Sequence, residues 1–400
     1  MKPKILYISH ETGLNGASKS LLNIIEAFQD KYDIYVLLRG EGKFKEELKK
    51  YKCRVLTNKY YLDCEERNTS KGEIVWLIKK LRYAFYRRIV NLITAKKIAR
   101  FAKNEGITLI HSNSSSTFMG AYISSASHIP HVWHFREFLW EDFRMCPMLG
   151  WNYFYKLVAA TTTKVICVSD SVLNKYQGLI KTDMVRIYNG VPGTCCEFKQ
   201  KTGNTFNILQ AGIVSKVKGV DVSIDALGIL LSQGFDNIHL YLAGKGTLDF
   251  SKAYNERDDI KEHVHLMGYV DNLRSIREDK IDVELICSRA EAFGRVTVEA
   301  MQSGLVVIGA NTAGTAELIV DGNNGFLFKS GSAEDLANKI KWVYENRENL
   351  DQIRNNALTT AKSFSIQNCT RRIDELYGNL LCKEVKKRDL ATTGGENDVY

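Results

Sequence analysis

The sequence predicts an α/β protein built of two doubly wound domains that face a central cleft. Three observations predict it. A length of 400 residues is a prior for two domains. Both halves alternate short apolar runs with segments of helical spacing, the pattern of a parallel sheet covered by helices. One stretch spells such a unit in full: Val283 to Cys287 reads as a buried strand, Phe293 to Gln302 as a short helix, and Leu305 to Ile308 as the next strand. Gly294 lies near the helix start and Gly304 fits the left-handed position past its end.

Composition bounds the rest. Apolar content of 44% and charged content of 25% are ordinary for a globular chain. The net charge of +9 suits an anionic partner such as a nucleotide or a membrane surface. Nine cysteines without a C-x-x-C pair or metal-like spacing read as free thiols of a reducing compartment. No apolar run reaches the length of a membrane span. The start, Met1-Lys-Pro-Lys-Ile-Leu-Tyr-Ile, enters a strand at once, so no signal peptide is expected.

In the first half, Ile5 to Ser9 reads as a strand, followed by the loop His10 to Ser18 and a helix from Lys19 to Gln29. Gly13 and Gly16 lack the G-x-G-x-x-G spacing of a dinucleotide site. Ile34 to Leu38 and Arg54 to Thr57 read as further strands. Ile74, Leu77, Ile78, Leu81, Phe85, Ile89 and Leu92 then recur at helical spacing over 74–103, accompanied by nine lysines and arginines, with Glu73 the one acid between 71 and 103. Two readings stand: a core-facing helix with a solvated basic face, or a basic amphipathic helix on an anionic membrane. Nucleic acid is not expected, because no recognition motif accompanies the charge. Thr108 to His111 and Pro130 to Glu137 read as strands, and in the latter His131 and His134 point to opposite faces. Lys164 to Ser169 and Val185 to Tyr188 complete this half, and Asn189-Gly-Val-Pro192 marks a turn.

The expected boundaries are a first domain over 1–191, a linker over 192–204, a second domain over 205–363, a helix over 364–382 crossing back to the first domain, and a tail over 391–400. The second half opens with a strand, Phe206 to Gln210, and the loop Ala211 to Asp221, which carries Lys216, Lys218 and Gly219. Ile238 to Ala243 runs into Gly244-Lys-Gly246, His265 to Val270 reads as a strand, and Ser332 to Glu345 and Asn349 to Thr360 as helices.

Chemistry gathers at the 287–304 stretch. In a doubly wound sheet the loop before its helix lies at the carboxyl edge, where ligands bind. The helix N-terminus offers N–H groups and the positive end of the dipole to an anion such as phosphate. Glu291 and Glu299 put two carboxylates beside it, and carboxylates accept hydrogen bonds strongly from hydroxyl groups such as those of a sugar and a ribose.

Glu291-Ala-Phe-Gly294, Val298-Glu-Ala-Met301, Gly304, Ala313-Gly-Thr-Ala-Glu-Leu-Ile319 and Asp321-Gly-Asn-Asn-Gly-Phe326 follow in order. Together they resemble the nucleotide-binding signature of the retaining glycosyltransferases of the GT-B fold, family 4 (group 1) type, marked by a Glu, seven residues, Glu pattern. The resemblance implies transfer of a sugar from a nucleotide-diphosphate donor, UDP or GDP, to an acceptor hydroxyl; no metal or further cofactor is expected, because the chain has no Asp-x-Asp triplet and no His, Cys and carboxylate cluster at ligand spacing. It implies that Glu291 holds donor sugar hydroxyls and Glu299 the ribose. Lys218, with the backbone of Phe293, Gly294 and Arg295, would meet the diphosphate, and Gly244 would lie in a phosphate-side loop. Gly16, and less closely Gly13, would lie in the loop that meets donor phosphate or acceptor. His134 would reach the sugar or the acceptor, with His131 the competitor. Ile213 stands where the family has Arg, so Lys216 or another basic residue substitutes there, or catalysis is weak. Two alternatives to the transferase are an isomerase of nucleotide sugars with the same architecture and a non-catalytic scaffold. The acceptor expected by analogy is a cell-surface polysaccharide or a lipid-linked sugar, and the expected location is cytoplasmic, on the inner face of the membrane where the 74–103 helix touches lipid.

Overall fold

A computed structural model describes residues 2–67, 72–196, 198–199, 204–246, 254 and 257–393, with side chains to 382. The chain forms two compact units, Met1–Gly190 with Ile366–Tyr400, and Val191–Ser365.

The first unit carries β1 (Lys4–Ile8), β2 (Asp33–Leu38), β3 (Cys53–Thr57), β4 (Cys64–Glu66), β5 (Leu109–Ser112), β6 (His131–Phe135), β7 (Met145–Pro147), β8 (Lys164–Cys167) and β9 (Met184–Arg186). Seven of them form one parallel sheet in the order β3-β2-β1-β5-β6-β8-β9. The winding reverses between β1 and β5, which opens a crevice at their carboxyl ends. Strands buried on both faces read as continuous apolar runs, and β1 and β2 do so. Ile5, Tyr7, Val36, Leu109 and Val132 of the sheet pack against Leu21, Ile24, Ile25 and Phe28 of the helix Gly16–Phe28 and against Ile373 and Tyr377 of the helix Ile366–Thr393. That last helix belongs to the first unit: Tyr377 Oη lies 2.6 Å from His111 Nδ1, and Tyr32 Oη donates to Asp374 Oδ1 at 2.6 Å. It runs on to Thr393, so 391–393 are helical and not a tail; 394–400 lie outside the described residues.

The second unit carries β10 (Phe206–Ala211), β11 (Ile238–Ala243), β12 (Val264–Gly268), β13 (Val283–Ile286), β14 (Val306–Ala310) and β15 (Phe326–Phe328), in the order β12-β11-β10-β13-β14-β15, again parallel. Its reversal falls between β10 and β13. In the 192–204 segment, the Cys196 N–H donates to Gln302 O at 2.8 Å, and the Arg354 guanidinium covers the Phe198 ring at 3.9 Å, both within this unit. Residues 197 and 200–203 of that segment lie outside the described residues.

A larger departure from the sequence reading lies in the basic helical segment. The 74–103 segment is not a single α-helix: Gly72–Arg82 passes through a π-helical turn, Tyr83–Arg87, into Arg88–Glu105. Its buried side is Trp76, Tyr83, Asn91, Ala95, Ile98 and Ala102. The eight-residue step from Tyr83 to Asn91 overshoots two α-helical turns by about 80°, and the wider π turn absorbs it so that one face stays inward. The apolar stripe Ile74, Leu77, Ile78, Leu81, Phe85, Ile89 and Leu92 therefore faces solvent, against the core-facing reading. Periodicity gives a stripe but not its direction.

The inward side rests on a ribbon that the sequence did not announce, β4 antiparallel to β7. Trp76 and Tyr83 pack on Met148, with Cys146 and Leu149 beside them. Beneath them the fully buried Asp63 accepts from Tyr83 Oη, from Asn91 Nδ2 at 3.2 Å and from the Phe118 N–H at 2.6 Å. Burial pushes its carboxyl up to about 6, with those hydrogen bonds holding it down. The unfolded value is about 3.9, so the folded state binds the proton more tightly. The stabilisation is complete below about pH 4 and is lost as pH rises to about 6. The stability difference between the wild type and Asp63→Asn, from urea unfolding, should fall by about 2–3 kcal/mol between pH 4 and pH 7. A difference independent of pH would show that burial does not raise the Asp63 carboxyl above its unfolded value.

Candidate active site at the carboxyl edge of the second sheet

The winding reversal of the second unit brings together the loop after β10 and the loop after β13. The first makes a tight 3₁₀ turn, Lys216–Lys218, ended by Gly219 at φ +68°. A Cβ there would stand 1.9 Å from Cys287 O, so only glycine lets the two loops close. Gln210 Nε2 donates to Lys218 O at 2.8 Å and fixes the turn from the strand end. Arg289, in the loop after β13, clamps it from the other side. Its N–H donates to Val217 O at 3.1 Å, its guanidinium holds Asp221 through bonds of 2.8 and 2.7 Å, and it also donates to Lys216 O.

This framework aims Lys218 Nζ at Glu291 Oε2, 2.7 Å away, with both side chains partly open to solvent. The Glu291 carbonyl accepts the Gly314 N–H at 2.9 Å. A Cβ on Gly314 would come within 2.8 Å of both Glu291 O and Phe293 O, so that contact too is reserved for glycine. Gly294, at φ +95°, turns the loop into the helix Arg295–Gln302, whose first amides have no partner inside the helix. Phe293 itself is buried, its ring edge-on to Phe364 at 5.7 Å, so it can offer a ligand only its backbone. Thr297 and Thr315 flank this loop with buried hydroxyls that have no hydrogen-bond partner among the described residues.

Glu299 lies one turn into the helix. Its carboxylate is held by Arg277 at 3.4 Å and by Arg295 at 3.9 Å. Arg277, on the helix Leu273–Lys280, is itself buried and makes a two-pronged pair with Glu284 of β13 at 2.7 and 2.9 Å. Burial pushes the Glu284 carboxyl up, with Arg277 pulling it back. Neither residue was among those singled out from the sequence. The signal was present: Glu284 is the one acid in an otherwise apolar strand, and a buried acid demands a partner.

Gly244 has a packing reason of its own. A Cβ would lie 1.7 Å from Gly212 O, where the loops after β10 and β11 are joined by Val214 N–H to Lys245 O at 2.9 Å. Ile213 projects from the first of these loops, 56% exposed, and Lys216 beside it is exposed with no ion pair among the described residues. No three His, Cys, Asp or Glu side chains among the described residues come together as a metal site would require.

The first unit has its own edge cluster. Glu11 caps the helix Gly16–Phe28: its carboxylate takes the Ser18 N–H at 2.9 Å and Asn15 Nδ2 at 3.0 Å. A Cβ on Gly16 would meet nothing within 4 Å, so packing does not require that glycine. After β6, Arg136 donates to Asn113 Oδ1 at 2.8 Å and Asn189 Oδ1 at 2.6 Å, while Glu137 accepts from Ser115 N–H and Ser115 Oγ, each at 2.8 Å. His10 beside them is held neutral by burial, against the pull of Glu137 and Glu11. His134 is fully buried, its ring edge-on to His111 at 5.4 Å, and neither ring nitrogen has a hydrogen-bond partner among the described residues. Burial, then Arg136 and His111, push its pKa well below the ordinary range, so it is a neutral imidazole. His131 lies on the other face, 2.8 Å from Ser112 Oγ.

Both halves of the chain match known proteins. The family model described as glycosyl transferases group 1 matches residues 197–360, and that described as glycosyltransferase family 4 matches residues 14–192. An uncharacterised glycosyltransferase of Methanocaldococcus jannaschii is 29% identical over 325 residues, 80% of this chain and 88% of that one. The capsular polysaccharide biosynthesis glycosyltransferase CapM of Staphylococcus aureus is 22% identical over 264 residues, 60% of this chain and 68% of that one. Among solved structures, Anabaena HepE in complex with UDP and glucose superposes with a TM-score of 0.71 at 22% identity, covering 94% of this chain and 99% of that one.

Proposed function

We propose, from the premise that this chain belongs to the group 1 glycosyltransferases of family 4 and has their GT-B fold, that it moves a sugar from a nucleotide-diphosphate donor to an acceptor hydroxyl with retention of configuration. The observation that carries the reading is the 2.7 Å pair of Lys218 and Glu291 at the winding reversal of the second sheet, beside a helix N-terminus and a Glu299 held by Arg277. Departure of the diphosphate builds negative charge, and a cation and backbone N–H donors fixed beforehand lower that barrier. Lys218 and the amides at Gly294 and Arg295 take that part. Glu291 accepts hydrogen bonds from the donor sugar and Glu299 from the ribose. The sugar develops oxocarbenium character and the acceptor hydroxyl attacks from the face the diphosphate leaves. The leaving phosphate takes the acceptor proton, so no side chain acts as base. With Ile213 in place of arginine, Lys216 supplies the second positive charge.

HepE structures hold UDP and UDP-glucose, which supports a uridine donor here. In the first unit, Glu11 already fills the N-terminus of the Gly16–Phe28 helix. A phosphate at Gly16 would displace a carboxylate, so this loop suits an uncharged acceptor better. His134, being neutral, acts as a hydrogen-bonding group. The likeness to CapM, a capsular polysaccharide biosynthesis glycosyltransferase, supports an acceptor in cell-surface polysaccharide synthesis.

Thermal shift with UDP, GDP, ADP and their sugars tests the donor site. A nucleotide at a hundred times its Kd adds about 2.7 kcal/mol of stability, several degrees in melting temperature. Glu299→Ala, compared with its own ligand-free state, should lose most of that shift. If no nucleotide moves the wild type, the exposed Ile213 decides the matter and the chain is a non-catalytic scaffold.

A further inference from the structure

We propose that the outward face of residues 74–93 is a docking surface for an anionic membrane, entered in the plane of the headgroups. The reading is independent of the donor site and would survive its failure.

The surface is unusual in apolar content. Of the eighteen large apolar side chains exposed among the described residues, ten lie here: Ile74, Val75, Leu77, Ile78, Leu81, Phe85, Tyr86, Ile89, Leu92 and Ile93. Several are almost fully out, Ile74 at 76%, Phe85 at 74% and Ile93 at 64%. Scattered exposed apolar residues need no explanation, but a contiguous row marks an interaction site. The row exists because the inward face is already satisfied: Trp76 and Tyr83 pack on Met148, and Asn91 is bonded to Asp63 and to the Tyr61 backbone. Rolling the helix to bury the row would break those bonds.

Charge selects the occupant. Arg82, Lys96, Lys97, Arg100 and Lys103 are exposed on the same helical segment and make no ion pair among the described residues. Two acids of this region are spent: Glu73 pairs with Arg67 at 2.5 Å, and Glu65 holds Lys79 at 3.5 Å and also Arg87. An apolar row flanked by unpaired cations is complementary to a lipid interface with anionic headgroups, where the row meets the acyl boundary and the cations stay at the phosphates. A second copy of the chain would bring the same cations against each other, so self-association is disfavoured by charge. No described helix is long and apolar enough to cross a membrane, so the contact is peripheral.

Co-sedimentation of the full chain with vesicles tests this, using phosphatidylcholine alone and phosphatidylcholine mixed with phosphatidylglycerol. Binding is expected only to the mixed vesicles, and to fall as NaCl rises from about 0.1 M to about 1 M and the Debye length shrinks from about 10 Å to about 3 Å. Lys96→Gln with Arg100→Gln should weaken it about fivefold for each cation removed. Leu81→Asp with Phe85→Asp should weaken it at least about tenfold with unchanged circular dichroism and melting temperature, since both side chains are exposed in the fold. The proposal is overturned if the wild type stays in the supernatant with both vesicle types, or if the Leu81/Phe85 variant binds as well as the wild type. It is also overturned if sedimentation velocity shows a dimer that this variant dissociates while vesicles recruit neither protein, which would make the row an interface between copies.

Discussion

Alanine at Lys218 should lower kcat for sugar transfer by about 10²–10³-fold, the loss typical of one preorganised group facing a developing anion. Two effects add. The cation proposed to meet the leaving diphosphate is gone, and Glu291, left 2.7 Å from an empty position, would present an unbalanced negative charge to the same phosphates. The loop will not rearrange to compensate. Gly219 is pressed against Cys287 O, Gln210 holds the Lys218 carbonyl, and Arg289 clamps Val217 and Asp221. Lys218→Arg should recover part of the rate, because charge is kept although the fork of a guanidinium fits a point-charge position poorly. Glu291→Gln should cost less than Lys218→Ala, because the amide still bonds sugar hydroxyls. The check is steady-state kinetics with donor varied, alongside thermal shift with the nucleotide alone. A fall in kcat with the nucleotide shift largely kept would mean that Lys218 acts in the transition state. An unchanged kcat would remove Lys218 from the chemistry.

Most of what positions this site could be read from the residues. Both parallel sheets follow from apolar runs spaced by helical segments. Glu291, Gly294 and Lys218 lie in the loops that the winding reversal brings together, and Glu299 on the helix that follows. What could not be read is of two kinds. The first is direction: the 74–92 stripe has a clear helical period, but whether it faces core or solvent was decided by Asp63 and the β4–β7 ribbon, whose short strands have no strong pattern. The second is long-range pairing. Arg277 sits in Leu-Arg-Ser-Ile-Arg-Glu-Asp-Lys, which reads as a solvated helix, and Glu284 sits in an apolar strand. Each is odd alone and explained only by the other. Gly244 illustrates the converse: the family resemblance suggests a phosphate contact, whereas the 1.7 Å approach to Gly212 O is reason enough for glycine there.

That hidden pair carries the largest stability effect. Glu284→Ala should cost about 3–5 kcal/mol, the penalty for leaving a buried charge without its partner. For the second unit, Val191–Ser365, unfolding by itself, that is a drop of roughly 8–14 °C in its melting temperature. Arg277 is almost fully buried and its Glu284 partner completely so, so water cannot step in for the lost carboxylate. Arg277 would instead turn wholly to Glu299, pulling it from the position proposed for the ribose. Replacing both charges, Arg277→Leu with Glu284→Leu, should restore most of the stability, since apolar packing of similar volume often equals a buried ion pair. It should not restore nucleotide binding, because Glu299 then loses the nearer of its two arginines and keeps only Arg295 at 3.9 Å. The two variants thus separate the roles. Chemical denaturation reads the first and nucleotide thermal shift the second. A double variant that is stable and binds nucleotide like the wild type would reduce the pair to a structural element with no bearing on the site. A tolerated Glu284→Ala would mean that the Arg277 charge is met by some group other than Glu284.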